Sequence, residues 1–200
     1  MSEEEIIIDK FVQESEGFAS VPVISSLPFE KPMQFKDIPD DVVKRVGLYL
    51  APIINIKSKN REVNIIAIIN NAKALFVNGR YHYDKDYWLQ HCASSFREII
   101  LFVEPSNFSA AHRNIPDPDS PEIEKAFAFI VNSVTYLSSV VHHRPAQLMG
   151  DAEKLYPNQG FGQMTRSDFS AQEAIFLERL CVDIVYTLDH VFCTYCASKV

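Results

Sequence analysis

The sequence predicts an all-α fold, an antiparallel helical bundle with an acidic, partly extended N-terminal arm. Three observations carry that expectation. Apolar residues recur at helical spacing over long segments. The segments open on capping residues and close on proline or glycine. Three of them, 84–104, 121–143 and 170–196, run for about 20–25 residues, a length that suits bundle packing.

Residues 1–40 form the predicted arm. Pro22, Pro28, Pro32 and Pro39 punctuate it, with Gly17 among them. Ser2 and the acids after it suit a short helix over 3–14. Segment 18–38 is expected to run extended across the body, burying Phe29, Met33 and Phe35. Residues 41–200 are expected to form a single helical domain.

At 40–54, "DDVVKRVGLYLAPII", two aspartates begin a helix and Val42, Val43, Val46, Tyr49 and Leu50 fall on one face. Pro52 is expected to end or kink it, with "NIKSKNRE" as a loop. Segment 62–78 reads as a helix with Gly79 at its C-terminal end, or as a β-hairpin on the strength of its β-branched residues.

Asp84 caps the next helix, whose stripe is Trp88, Leu89, Cys92, Phe96, Ile99, Ile100 and Val103, and Pro105 stops it. Ser120-Pro121-Glu122 opens the following one, with Phe127, Ile130, Val131, Val134, Leu137 and Val141 inward. Pro145 ends it. A short helix over 147–155 follows. Ser170-Ala-Gln-Glu173 is a capping box that opens the last helix, to about Cys196, with Ile175, Leu177, Leu180, Ile184, Leu188 and Val191 inward.

Apolar types make up 47% of the 200 residues, ample for one core. The longest apolar runs, such as "IIAIINNAKALFV", are broken well short of the ~20 residues that span a bilayer. No basic segment precedes the apolar triplet near the start, so a secretory signal is not expected. These features point to a soluble cytoplasmic protein with no membrane partner. The net charge of −7 resides in residues 1–41, which carry ten acids and three bases; the rest is neutral. The acidic arm suits docking on a basic protein partner.

From Lys44 to Arg61 the chain holds five bases, Lys44, Arg45, Lys57, Lys59 and Arg61, and no acid. This is the candidate nucleic-acid-binding stretch. Cys193-Thr-Tyr-Cys196, with His190 nearby, has C-x-x-C spacing. It sits at a helix end rather than a helix start and lacks a second ligand pair, so buried apolar cysteine is the expected role and no metal or cofactor is predicted.

Two groups could carry chemistry. His91, Ser94, Ser95 and Glu98 lie along one side of a helix, with Arg97 on the flank. They suit a site with an acid/base histidine and a phosphate-binding arginine, or a polar seam between helices. His142, His143 and Arg144 end another helix. They suit a cleft, or simple complementing of the helix dipole. Adjacent histidines point about 100° apart, so one can face a cleft while the other caps. His91, Arg97, His142 and His143 are the candidate catalytic set. P-loop, G-x-S-x-G and H-E-x-x-H patterns are absent.

With "WLQHCASSFREII" at 88–100 and "YLSSVVHHRP" at 136–145, the chain resembles the HEPN-like helical proteins over roughly 84–196. These are small all-α domains of toxin–antitoxin and antiphage systems, many of them metal-independent ribonucleases that act as dimers. The resemblance implies RNA or other nucleic acid as partner, a homodimer and no cofactor. Its ribonuclease members carry Arg, then four to six residues, then His. No arginine here has a His at that spacing, and His91 to Arg97 is the reversed arrangement. A non-catalytic helical module for dimerisation or partner binding is the alternative.

Overall fold

The computed structural model describes residues 34–57, 64–79, 84–101 and 121–189. Among them are six α-helices and no strand: α1 Asp40–Lys57, α2 Ile65–Ala74, α3 Lys85–Leu101, α4 Pro121–Val141, α5 Pro145–Leu155 and α6 Arg166–Thr187. The all-α expectation holds. Short 3-10 turns precede α1 and α6, at Phe35–Asp37 and Phe161–Gln163. A π turn, Leu75–Gly79, follows α2.

α6 is the axis of the core. From Phe176 to Leu188 nearly every residue is buried, including Arg179, Asp183 and Thr187. A helix buried on all sides has no polar face, and so loses the two-faced pattern of a surface helix. Its internal polar groups find partners. Tyr156 donates from its hydroxyl to Asp183 Oδ2 at 2.6 Å, and Thr187 Oγ1 bonds back to the Asp183 carbonyl at 2.7 Å. Around the helix, Phe161, Phe169, Tyr136 and Tyr156 all pack on the Phe176 ring, with centroids 4.7–5.8 Å away.

The other helices dock on this axis. Phe35 donates its backbone N–H to Glu178 Oε1, and Arg45 reaches Asp189, so α1 runs in the same direction as α6. Lys85 Nζ meets the Ser170 carbonyl and Glu173, which docks the start of α3 on the first turns of α6. α4 returns antiparallel beside α3: Gln90 meets His143 while Arg97 meets Ser138. Close approach of α1 to α2 depends on Gly47, where a Cβ would lie 2.3 Å from Ile66 Cγ1.

Several boundaries differ from expectation. Helix α1 passes through Pro52 and continues to Lys57 instead of stopping there. The bond lost at proline would have gone to the carbonyl of Leu48, an exposed position that water can serve. Within segment 62–78 the described residues are helical and not a hairpin, Ile65–Ala74 as α2 and Leu75–Gly79 as the π turn; Asn64 caps α2, accepting from the Ala67 N–H at 3.0 Å. Asp84 caps α3 as expected, accepting from the Asp86 N–H. On α4 the buried stripe is Ala126, Phe129, Ile130, Ser133, Tyr136, Leu137 and Val140, and Val131 is 40% exposed. Helix α6 starts one turn earlier than Ser170. Thr165 is the cap, accepting from the Asp168 N–H while its hydroxyl donates to the Asp168 carboxylate.

Phe35 is fully buried as expected, although in a 3-10 turn and not an extended run. Residues 1–33 of the arm, Phe29 and Met33 included, lie outside the described residues, as do Val103, Pro105, His190, Cys193 and Cys196. No helix among the described residues is long and apolar enough to cross a membrane.

Candidate functional site: a cleft at the α4–α5 corner

Where α4 ends, the chain turns sharply into α5. The N–H of Arg144 bonds the Ser139 carbonyl at 2.9 Å and that of His143 bonds the Val140 carbonyl at 3.3 Å. This paired pattern closes a helix on a residue in the left-handed region, a place usually held by glycine. Here it is held by His143, with φ of 50°. Pro145 then starts α5 with φ already suited to a helix. His143 is therefore kept in a costly backbone conformation, with its ring pinned to α3. Gln90 Nε2 lies 2.6 Å from His143 Nε2 and 3.0 Å from Nδ1, and donates to the ring nitrogen that carries a lone pair.

This corner forms one wall of a cavity of about 310 Å³. α3 contributes Asp86, Leu89 and Gln90. The corner contributes Ser139, His143 and Arg144. Leu148 and Met149 come from α5, and Arg166, Phe169, Ser170 and Glu173 from the first turns of α6. Both α5 and α6 begin here, so their N-terminal dipole ends add positive potential.

The charges in the cleft differ in how far they are committed. Lys85 is held by the Ser170 carbonyl and lies 3.8 Å from Glu173. Burial pushes the Glu173 carboxyl above its ordinary value; Lys85 opposes the shift and Asp86 reinforces it. Arg144 and Arg166 are exposed and make no side-chain hydrogen bond or ion pair among the described residues. Beneath the floor, Ser139 donates to the buried carboxylate of Asp151 at 2.7 Å. The Tyr136 hydroxyl, wholly buried, has no hydrogen-bond partner among the described residues.

Of the sequence-predicted catalytic residues, His143 lines this cleft. His142 is exposed on the turn beside it. His91 is exposed on α3 and lies parallel to the Tyr87 ring, with 3° between planes and centroids 6.2 Å apart. Arg97 is half-buried between α3 and α4 and donates from Nε to Ser138 Oγ at 2.7 Å. The four are thus not gathered around one centre. Ser95 bonds back to the His91 carbonyl, as a helix-surface serine does.

In the basic stretch, Lys44 is exposed. Arg45 is held by Asp189 and Asp41. The Lys57 side chain, Lys59 and Arg61 lie outside the described residues. Gln90, Arg144, Arg166 and Glu173 were not among the predicted site residues. The "HHRP" corner was the one local cue, and it pointed to Arg144.

Among the described residues no three His, Cys, Asp or Glu side chains are placed to hold a metal ion. Burial pushes the Cys92 thiol up to about 12 and the Cys181 thiol well above its ordinary value, so neither is a ready nucleophile. No family model, curated protein or solved structure matches the chain.

Proposed function

We propose that this chain binds a phosphate-bearing ligand in the α4–α5 corner cleft, as a helical module of the nucleic-acid-processing kind. One observation carries the reading. Two arginines with no side-chain partner among the described residues, Arg144 and Arg166, line the same cavity at the starts of two helices. Guanidinium groups match phosphate oxygens in pairs, and helix N-termini add N–H donors and favourable potential. A strained, anchored histidine beside them is the arrangement that positions a polar group for a ligand rather than for packing. The likeness to HEPN-like proteins points to the same ligand class. Binding is the function supported here; His143 is the side chain that would handle a proton if a reaction follows.

The test is fluorescence anisotropy of a short 5′-phosphorylated RNA labelled at its 3′ end. Arg144→Ala and Arg166→Ala each remove a charged hydrogen-bonding group worth about 1.5–3 kcal/mol, so each should weaken binding roughly tenfold or more. Unchanged affinity in the double variant would overturn the proposal.

A further inference from the structure

We infer that the phosphate held by Arg144 and Arg166 is carried on a ribose, whose 2′-hydroxyl donates to the carboxylate of Asp86, beside Glu173, in the same cleft. The inference rests on the phosphate reading and names what the phosphate is attached to.

The cleft is lined by both signs of charge. Arg166, Ser170 and Glu173 line it from positions i, i+4 and i+7 of α6, so they share one face of that helix. Arg166 opens α6, and Glu173 follows it by two turns, roughly 10 Å along the axis. Asp86 lines the cleft from α3. It belongs to the Glu173 end: its neighbour Lys85 bonds the Ser170 carbonyl and lies 3.8 Å from Glu173, and the negative charge of Asp86 acts on the Glu173 carboxyl. Asp86 is exposed, and its carboxylate makes no hydrogen bond or ion pair among the described residues.

Two carboxylates in a cleft with two phosphate-binding arginines set a requirement on the ligand. They repel a bare phosphate, and an ionised carboxylate accepts hydrogen bonds but donates none. They favour only a ligand that brings donors to them. In a 5′-nucleotide the donors one sugar away from the phosphate are the ribose hydroxyls, which Asp and Glu side chains accept. The 2′-hydroxyl is also the group by which a protein tells RNA from DNA. The two turns between Arg166 and Glu173 leave room for one sugar between phosphate and acids.

Isothermal calorimetry on the full chain tests this with inorganic phosphate, UMP, 2′-deoxy-UMP and phosphoethanolamine. UMP should bind about tenfold tighter than 2′-deoxy-UMP, the difference of one hydrogen bond to a charged group. Asp86 is exposed, so Asp86→Ala leaves the core intact. It should erase the preference for UMP yet bind inorganic phosphate more tightly than the parent does, because a repelling charge is gone. A purely structural role for Asp86 would move both ligands in the same direction, and that result would overturn the inference. A 5′-phosphorylated four-nucleotide RNA preferred over the matching DNA would place the ribose at a strand end; a preference confined to UMP would make it a free nucleotide. Equal binding of UMP and 2′-deoxy-UMP would overturn the inference, as would phosphoethanolamine binding more tightly than UMP, which would assign the acids to an ammonium group. Either result beside measurable binding of inorganic phosphate leaves the phosphate reading intact. Binding of none of the four would overturn both.

Discussion

Arg45 on α1 closes both Nε and Nη2 on the carboxylate of Asp189, at 2.8 and 3.0 Å. The acid is fully buried and the arginine side chain half-exposed. A third bond, from Nη1 to Asp41 at 2.8 Å, fixes the remaining side of the guanidinium. Asp189 in turn raises the proton affinity of the arginine. This residue, read from the sequence as part of a basic nucleic-acid-binding stretch, fastens α1 to the end of the central helix.

Arg45→Ala should therefore act on stability. It removes the guanidinium from a buried carboxylate, and the cost should be about 2–3 kcal/mol, below that of a wholly buried pair because the arginine is partly wet. Arg45→Lys should fall between, keeping charge but losing the two-pronged contact. Urea unfolding measures both. A midpoint unchanged in Arg45→Ala would contradict the role.

The left-handed backbone at His143 makes a prediction of unusual sign. His143→Gly relieves the strain, whereas His143→Ala loses the ring and keeps the strain. The glycine variant should be more stable than the alanine variant by about 1 kcal/mol. Both lose the contact with Gln90, so the difference isolates the backbone. Equal thermal midpoints would mean that the corner is not strained.

Glu173 supplies a pH signature. Burial raises its carboxyl above the ordinary 4.5, so the folded state holds the proton more tightly than the unfolded chain does. That preference stabilises the fold fully below the ordinary value and is lost as pH rises through the raised one. Glu173→Gln cannot titrate, so its stability relative to the parent should improve from pH 4 to pH 7. Its lost ion pair with Lys85, at 3.8 Å, subtracts little. Parallel stability curves for the two proteins over this range would contradict the assignment.

The sequence shows helices better than it shows where they begin. Asp84 and Pro121 mark real starts because each combines a cap with a stripe directly after it. At the last helix two capping patterns overlap, Thr165–Asp168 and Ser170–Glu173, and local chemistry favours neither strongly. Tertiary packing decides: the earlier start carries Phe169 into contact with Phe161 and Phe176. Val131 was misread for a similar reason. Its spacing fits an apolar stripe, but α4 turns Ser133 inward instead, whose hydroxyl is satisfied by the Phe129 carbonyl.

The cleft was less legible still. Its walls come from residues 86–90, 139–149 and 166–173, and no periodicity links them. His143 stood out because it ends an apolar helix beside a proline. Arg166 did not, since its significance depends on which residue caps α6. His91 and Arg97 looked like one group along the chain. The α3–α4 packing separates them, turning one ring to solvent and drawing the other side chain to Ser138.

We propose that Arg144 and Arg166 hold phosphate in this cleft, and an ¹H–¹⁵N NMR titration of the full chain with inorganic phosphate, against chloride at matched ionic strength, is the decisive experiment. Saturable shifts should cluster at His143, Arg144, Arg166 and the Gln90 side-chain amide, and vanish in the Arg144→Ala/Arg166→Ala double variant. Shifts that chloride reproduces, that fall elsewhere, or that persist in the double variant would contradict it.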